Sequence, residues 1–127
     1  MTGTQIYKTA CAFLAMTPED GAELEPLAIS WLNSLLAEAL PYENANRLAN
    51  QKGPLQTAPQ ITVLKEEIPY CNDLCQIALP YGLASYLFME DENYGWAADF
   101  RSRYLSALYE AAPYMPEPIV DVYGGGL

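Results

Sequence analysis

Four groups of residues in this chain have types and spacings that could carry chemistry. They are the pair Cys71-x-x-x-Cys75, the run Glu90-Asp91-Glu92-Asn93, the neighbours Glu66-Glu67, and the closing Gly124-Gly125-Gly126-Leu127. Dithiol redox motifs hold their cysteines in a C-x-x-C spacing at a helix N-terminus, and zinc knuckles need a second pair. The chain has one further cysteine, Cys11, and no histidine. Without histidine, Ser-His-Asp and Cys-His nucleophilic systems and most zinc sites are excluded. Two cysteines four apart instead read as small hydrophobes on one face of a helix. The acidic run lacks the alternating spacing and the glycine of a calcium loop, and fits the acidic end of a helix. Adjacent acids on a loop are ordinarily solvated. The glycine run is followed by neither a helix nor a lysine, so it is no phosphate cradle. The residues therefore predict no catalytic site, metal or cofactor.

The elements that would position any working surface are helical. Ile6, Ala10, Phe13 and Leu14 recur at helical spacing over 4–16, with Thr2 or Thr4 available as cap. Leu24, Leu27, Ala28, Trp31, Leu32, Leu35 and Ala39 line one face of a second helix. That helix starts either at an Asp20–Glu23 capping box or at Glu25-Pro26. Leu40-Pro41 ends or bends it, and 41–50 reads as a short third helix with a Glu43–Arg47 pair, stopped by Asn50 and Gly53. Leu74, Ile77, Ala78, Tyr81, Ala84 and Phe88 predict a fourth helix over 72–90, kinked near Ile77 by Pro80. Ala97, Phe100, Tyr104, Ala107, Leu108 and Ala111 predict a fifth over 94–112, with an Asp99–Arg103 pair. The tight turn between the last two makes them an antiparallel hairpin. The prediction is an all-α domain over 1–112, four to five helices in a small bundle. A long Pro-rich loop, 51–69, lies within it, and an extended arm, 113–127, follows.

Composition narrows the function classes. A single domain of 127 residues with 51% hydrophobic and 17% charged residues can build a core and leave apolar surface for a partner. Sixteen acids against six scattered bases, net −10, do not suit gripping nucleic acid. No stretch is apolar enough for a membrane span or signal peptide, so a soluble cytosolic protein with reduced thiols is expected. Ten tyrosines are many for this length. Tyr81 and Tyr104 fall on core faces, whereas Tyr7, Tyr70, Tyr114 and Tyr123 fit core and interface equally.

The order of segments resembles the small head–tail connector (adaptor) proteins of tailed bacteriophages and prophages. The segments that carry the resemblance are "LNSLLAEA", "EIPY…ALPYGLASYLF", a following helix ending in "YEAA", and "PEPIVDVY", within about 5–123. They are packing patterns rather than a catalytic signature. The resemblance implies a non-enzymatic subunit that docks on a portal protein and forms a homo-oligomeric ring extending the DNA channel. It also implies that the ring receives the next neck or tail-completion protein. The expected setting is the bacterial host cytoplasm during assembly, then the virion neck. The loop and the arm would make the contacts, so the candidate interface residues are Ile61, Val63, Leu64, Tyr70, Ile119, Val120, Val122 and Tyr123. An acidic channel face would repel phosphates, without sequence-specific binding. Two other classes stay open: a helical protein-binding module of a bacterial regulator, and a small metal-dependent enzyme built on Glu90–Glu92.

Overall fold

The computed structural model describes residues 1–17 and 19–113. Its regular structure there is helical: α1 (Gly3–Phe13), a 3₁₀ turn (Ala22–Leu24), α2 (Glu25–Ala49), a π-helical segment (Leu74–Ala78) running into α3 (Leu79–Glu90), and α4 (Tyr94–Ala111). No β-strand occurs among the described residues; "ITVL" forms turns, and one isolated bridge joins Thr2 to Glu67. The protein is all-α.

Thr2 caps α1 in a reciprocal box with Gln5, so two otherwise unpaired backbone donors are satisfied. The next two donors go to the long loop. Gly3 N–H donates to Glu66 O at 3.1 Å and Thr4 N–H to Leu64 O at 2.8 Å. The approach is close enough that a Cβ on Gly3 would sit 2.7 Å from the Leu64 carbonyl.

α2 does not stop at Pro41. The two helices expected on either side of that proline are one, of 25 residues. A mid-helix proline removes a backbone donor and crowds the preceding turn, at a cost of about 3 kcal/mol. Tertiary contacts on both sides hold the helix together. On the N-terminal side, Leu32, Leu35, Leu36 and Ala39 are fully buried, and the Leu35 and Leu36 carbonyls accept the hydroxyls of Tyr104 and Tyr70. On the C-terminal side, Glu43 is buried and pairs with Arg47 at 2.6 Å, the i,i+4 pair expected from the sequence.

Pro80 acts where its sequence position predicts, through a π turn. Leu79 N–H reaches back to Leu74 O, one residue further than in an α-helix. The next residue is Pro80, which has no N–H, so the ladder can change from i−5 to i−4 spacing without leaving a donor mispaired. The inserted residue shifts the register. Ile77, placed on the core face by its 3.6 period, is instead 48% exposed.

α1, α2 and α3 end in the same way, without glycine. After α1, Met16 N–H donates to Cys11 O and Ala15 N–H to Ala12 O; after α2, Lys52 donates to Arg47 O and Gln51 to Leu48 O; after α3, Asn93 donates to Phe88 O and Glu92 to Met89 O. These are Schellman caps, and their left-handed residues are Ala15, Gln51 and Glu92, at φ of 57°, 59° and 59°. Of the two expected stop signals, Asn50 is the C-cap of α2, whereas the left-handed residue is Gln51 rather than Gly53. A Cβ in the left-handed region costs about 1–2 kcal/mol, part of which glycine returns as unfolded-chain entropy. Gln51→Gly and Glu92→Gly are therefore expected to stabilise the fold by about 0.5–1 kcal/mol each and to add, measured by urea titration. Destabilisation by both would refute the cap assignment.

The core joins α1 (Ile6, Tyr7, Ala10, Cys11), α2, α3 (Leu79, Leu83, Leu87) and α4 (Phe100, Tyr104, Leu108). α3 and α4 make the most extensive contact, as the antiparallel hairpin predicted from "EDEN". The loop is the fifth component: Ile61, Leu64, Ile68 and Tyr70 are buried in the same core.

Candidate functional site

The cysteines, Glu66 and three of the tyrosines are tied up in the fold. Burial pushes the Cys75 thiol up to about 11 and also raises Cys11 and Cys71. All three are free cysteines. Thiols held protonated by burial are poor nucleophiles and poor metal ligands. Among the described residues no group of three acids or cysteines could hold a metal ion. Glu66 accepts hydrogen bonds from Thr62 N–H, the Thr62 hydroxyl and Val63 N–H, which lower its pKa and make it a turn cap. Tyr7, Tyr70 and Tyr104 donate their hydroxyls to backbone carbonyls, and burial raises all three.

The candidate interface residues of the loop divide sharply. Ile61, Leu64 and Tyr70 are buried within this chain's own core, and Val63 is exposed. Ile119, Val120, Val122 and Tyr123 lie outside the described residues. The loop is held by α2. Asn33 clasps Ile61 with both amide groups, donating to its carbonyl at 3.0 Å and accepting from its N–H at 2.8 Å. Asn44 does the same to Leu55, at 3.1 Å and 2.8 Å. Arg47 donates to Pro69 O at 2.8 Å, and Glu43 accepts from Cys71 N–H at 2.8 Å. Asn33, Asn44 and Arg47 stand near one stripe of the helix, because eleven residues are just over three full turns. That stripe of Asn33, Asn44 and Arg47 beside the apolar face of α2 is the signal in the sequence, and apolar periodicity alone passes over it.

The open apolar surface lies on the hairpin. A groove of about 580 Å³ runs between α2, α3 and α4 and is lined by Ser34, Glu38, Tyr86, Met89, Tyr94 and Arg101, among others. The helical period brings Tyr94, Ala98, Arg101, Leu105 and Tyr109 onto one outward stripe of α4. Across the groove, Tyr86 stacks on Trp31 with centroids 5.5 Å apart and planes within 5°. Arg101 spans the groove in a two-pronged pair with Glu38 and lies 5.1 Å from the centroid of the Tyr104 ring. The Arg101 hydrogen bonds hold the Glu38 carboxyl below its usual range. Its stabilising effect is therefore present above the ordinary carboxylate pKa and is lost as pH falls through the lowered value; the pair is part-exposed, so it is worth at most about 1 kcal/mol. The second predicted pair, Asp99–Arg103, is present at 2.9 Å.

Such a surface can take up apolar side chains of a partner. It offers aromatic and methionine contact area beside a fixed ion pair, the composition of a protein interface centre. No described helix is long and apolar enough to cross a membrane. In comparisons with known proteins, the chain matches no family model, no curated relative and no solved structure.

Proposed function

We propose that this chain is a structural connector subunit of a tailed-phage head–tail junction. In this reading it assembles as a ring on a portal protein, extends the DNA channel, and receives the next neck protein. The reading combines the sequence resemblance with a small helical bundle whose Pro-rich loop is clasped against it, and with residues 113–127 as a contact arm. The observation that carries it is the α4 surface: Tyr94, Trp96, Leu105 and Tyr109 are all about half exposed or more. Large apolar side chains concentrated on one helix favour burial against another protein. The net charge of −10 fits a channel wall that does not retain DNA. Work in the host cytoplasm during assembly, and then in the virion neck, follows from the same reading.

The test is native mass spectrometry and electron microscopy of the full chain, alone and co-expressed with the portal protein encoded beside it. Ring oligomers, or a complex formed only on the portal, are expected. A chain that stays monomeric in both settings, or whose gene has no portal neighbour, overturns the reading. Deleting residues 117–127 is expected to leave the circular-dichroism melt intact while abolishing assembly. Loss of the melt would instead make that segment part of the fold.

A further inference from the structure

On the opposite flank of α4 the π segment builds a second surface. Two adjoining depressions, about 180 Å³ and 350 Å³, share Ile77, Ala107 and Glu110. Ile77 stands in both because the π turn rotates it out of the core, and it is 48% exposed. π turns inside helices are frequent at functional sites. Asp73, Asp99 and Glu110 stand around the apolar floor, and the lone cation there, Arg103, is already bound to Asp99.

From this groove we infer that the cleft between the π segment and the C-terminal half of α4 is a docking site for a basic amphipathic segment of a different protein. An apolar side chain of that segment fills the space beside Ile77 and Ala107. Lys or Arg residues flanking it meet Asp73 and Glu110. Charge decides among the possible occupants. A second copy of the chain carries net −10; its Arg47, Arg101 and Arg103 are already in ion pairs, and its three lysines, Lys8, Lys52 and Lys65, stand apart on α1, after α2 and in the loop rather than flanking one apolar face. Residues 114–127 of the same chain contain Glu117 and Asp121 and no Lys or Arg. Both bring more acid than base to an acidic rim, whereas a basic segment gains from Asp73 and Glu110, the two rim acids outside the Asp99–Arg103 pair. The inference does not depend on the ring reading, since any helical binding module could use this cleft.

The test titrates the full chain, methyl-labelled at isoleucine and alanine, with two synthetic amphipathic helices of about five turns. One is built of leucine and lysine, the other of leucine and glutamate. The lysine peptide is expected to shift the Ile77 and Ala107 methyl signals, with affinity falling as salt rises. Ile77→Ser and the pair Asp73→Lys/Glu110→Lys are expected to weaken it about tenfold or more, roughly the loss of one good contact. Glu23→Lys, which reverses one acidic charge outside the groove, should have little effect. Equal binding of the glutamate peptide, shifts mapping elsewhere, or an equal loss with Glu23→Lys overturns the proposal. So does a concentration-dependent dimer that Ile77→Ser dissolves, which would make a second copy the occupant. Much tighter binding by a chain ending at residue 113 would assign the cleft to the chain's own C-terminal segment and also overturns it. Unchanged thermal melts for the variants keep a binding loss from being read as misfolding.

Discussion

Replacing Arg47 by methionine is expected to destabilise the fold by about 3–5 kcal/mol, the cost of leaving a buried carboxylate without its counter-charge. Glu43 is 3% exposed, and its two oxygens have specific partners: Arg47 Nε at 2.6 Å and Cys71 N–H at 2.8 Å. For a domain of this size, total stability is roughly 6–19 kcal/mol, so the variant loses a large fraction of it. A melting temperature lower by about 10–20 °C should result. The loss is expected to be partly reversed by Glu43→Gln in the Arg47→Met background. Glutamine removes the unpaired charge and retains a carbonyl for Cys71 N–H. Urea titrations of the two single variants and the double variant decide the point. If the double variant is as unstable as the sum of the singles, Glu43 is held by the packing around it rather than by its charge. The same pair anchors the far end of the loop, since Arg47 also donates to Gly53 O and Pro69 O. Amide exchange in 53–71 should therefore accelerate more than exchange in α3, where the protecting bonds are within the helix.

That pair was visible as Glu43 and Arg47 four residues apart, but its burial was not. Spacing along a helix reports which side chains can meet, whereas burial depends on what the loop lays over them. The same limit explains the loop as a whole. Its prolines and glycine correctly excluded helix, and its apolar residues then read as a surface free to bind. Ile61, Leu64 and Tyr70 have no period to mark them as core, and the partners that fix them, Asn33 on α2 and the first donors of α1, are far away in sequence. The helices of the hairpin were legible because each carries a full apolar stripe and the acidic turn between them is short. Ile77 was misplaced because a single π turn shifts a period by one residue, and Pro80 announced a distortion without announcing its kind. The open stripe of Tyr94, Leu105 and Tyr109 could have been read as spare apolar positions on the polar side of α4. Sequence alone does not say that the other described residues leave such positions uncovered.

Tyr104→Ala is expected to cost about 3–5 kcal/mol, because it empties the point where three helices meet. The ring is fully buried, and its carbons lie 2.9 and 3.1 Å from the position a Cβ would take at Gly82 of α3. That Cβ would also come within 2.8 Å of Leu35 on α2, so the helices approach this closely because residue 82 has no side chain. Gly82→Val should accordingly destabilise by about 1–3 kcal/mol through overpacking, more than any gain in helix propensity returns. Tyr104→Phe should cost far less than Tyr104→Ala, since the hydroxyl reaches Leu35 O only at 3.5 Å. The two sites touch, so they should not add: in Gly82→Val/Tyr104→Ala the valine grows into the space the ring leaves. The double variant should then be more stable than the sum of the singles predicts, by about 1 kcal/mol or more. Strict additivity would show that the close approach is not what fixes α3 against α4. The outcome also bears on binding, because Arg101 lies over the Tyr104 ring and the outward stripe of α4 takes its orientation from that packing. A ring-filling repair that restores stability but tilts α4 should leave the melt near normal and still weaken partner binding. Measuring assembly on the repaired double variant separates a surface that works by its composition from one that works by its geometry.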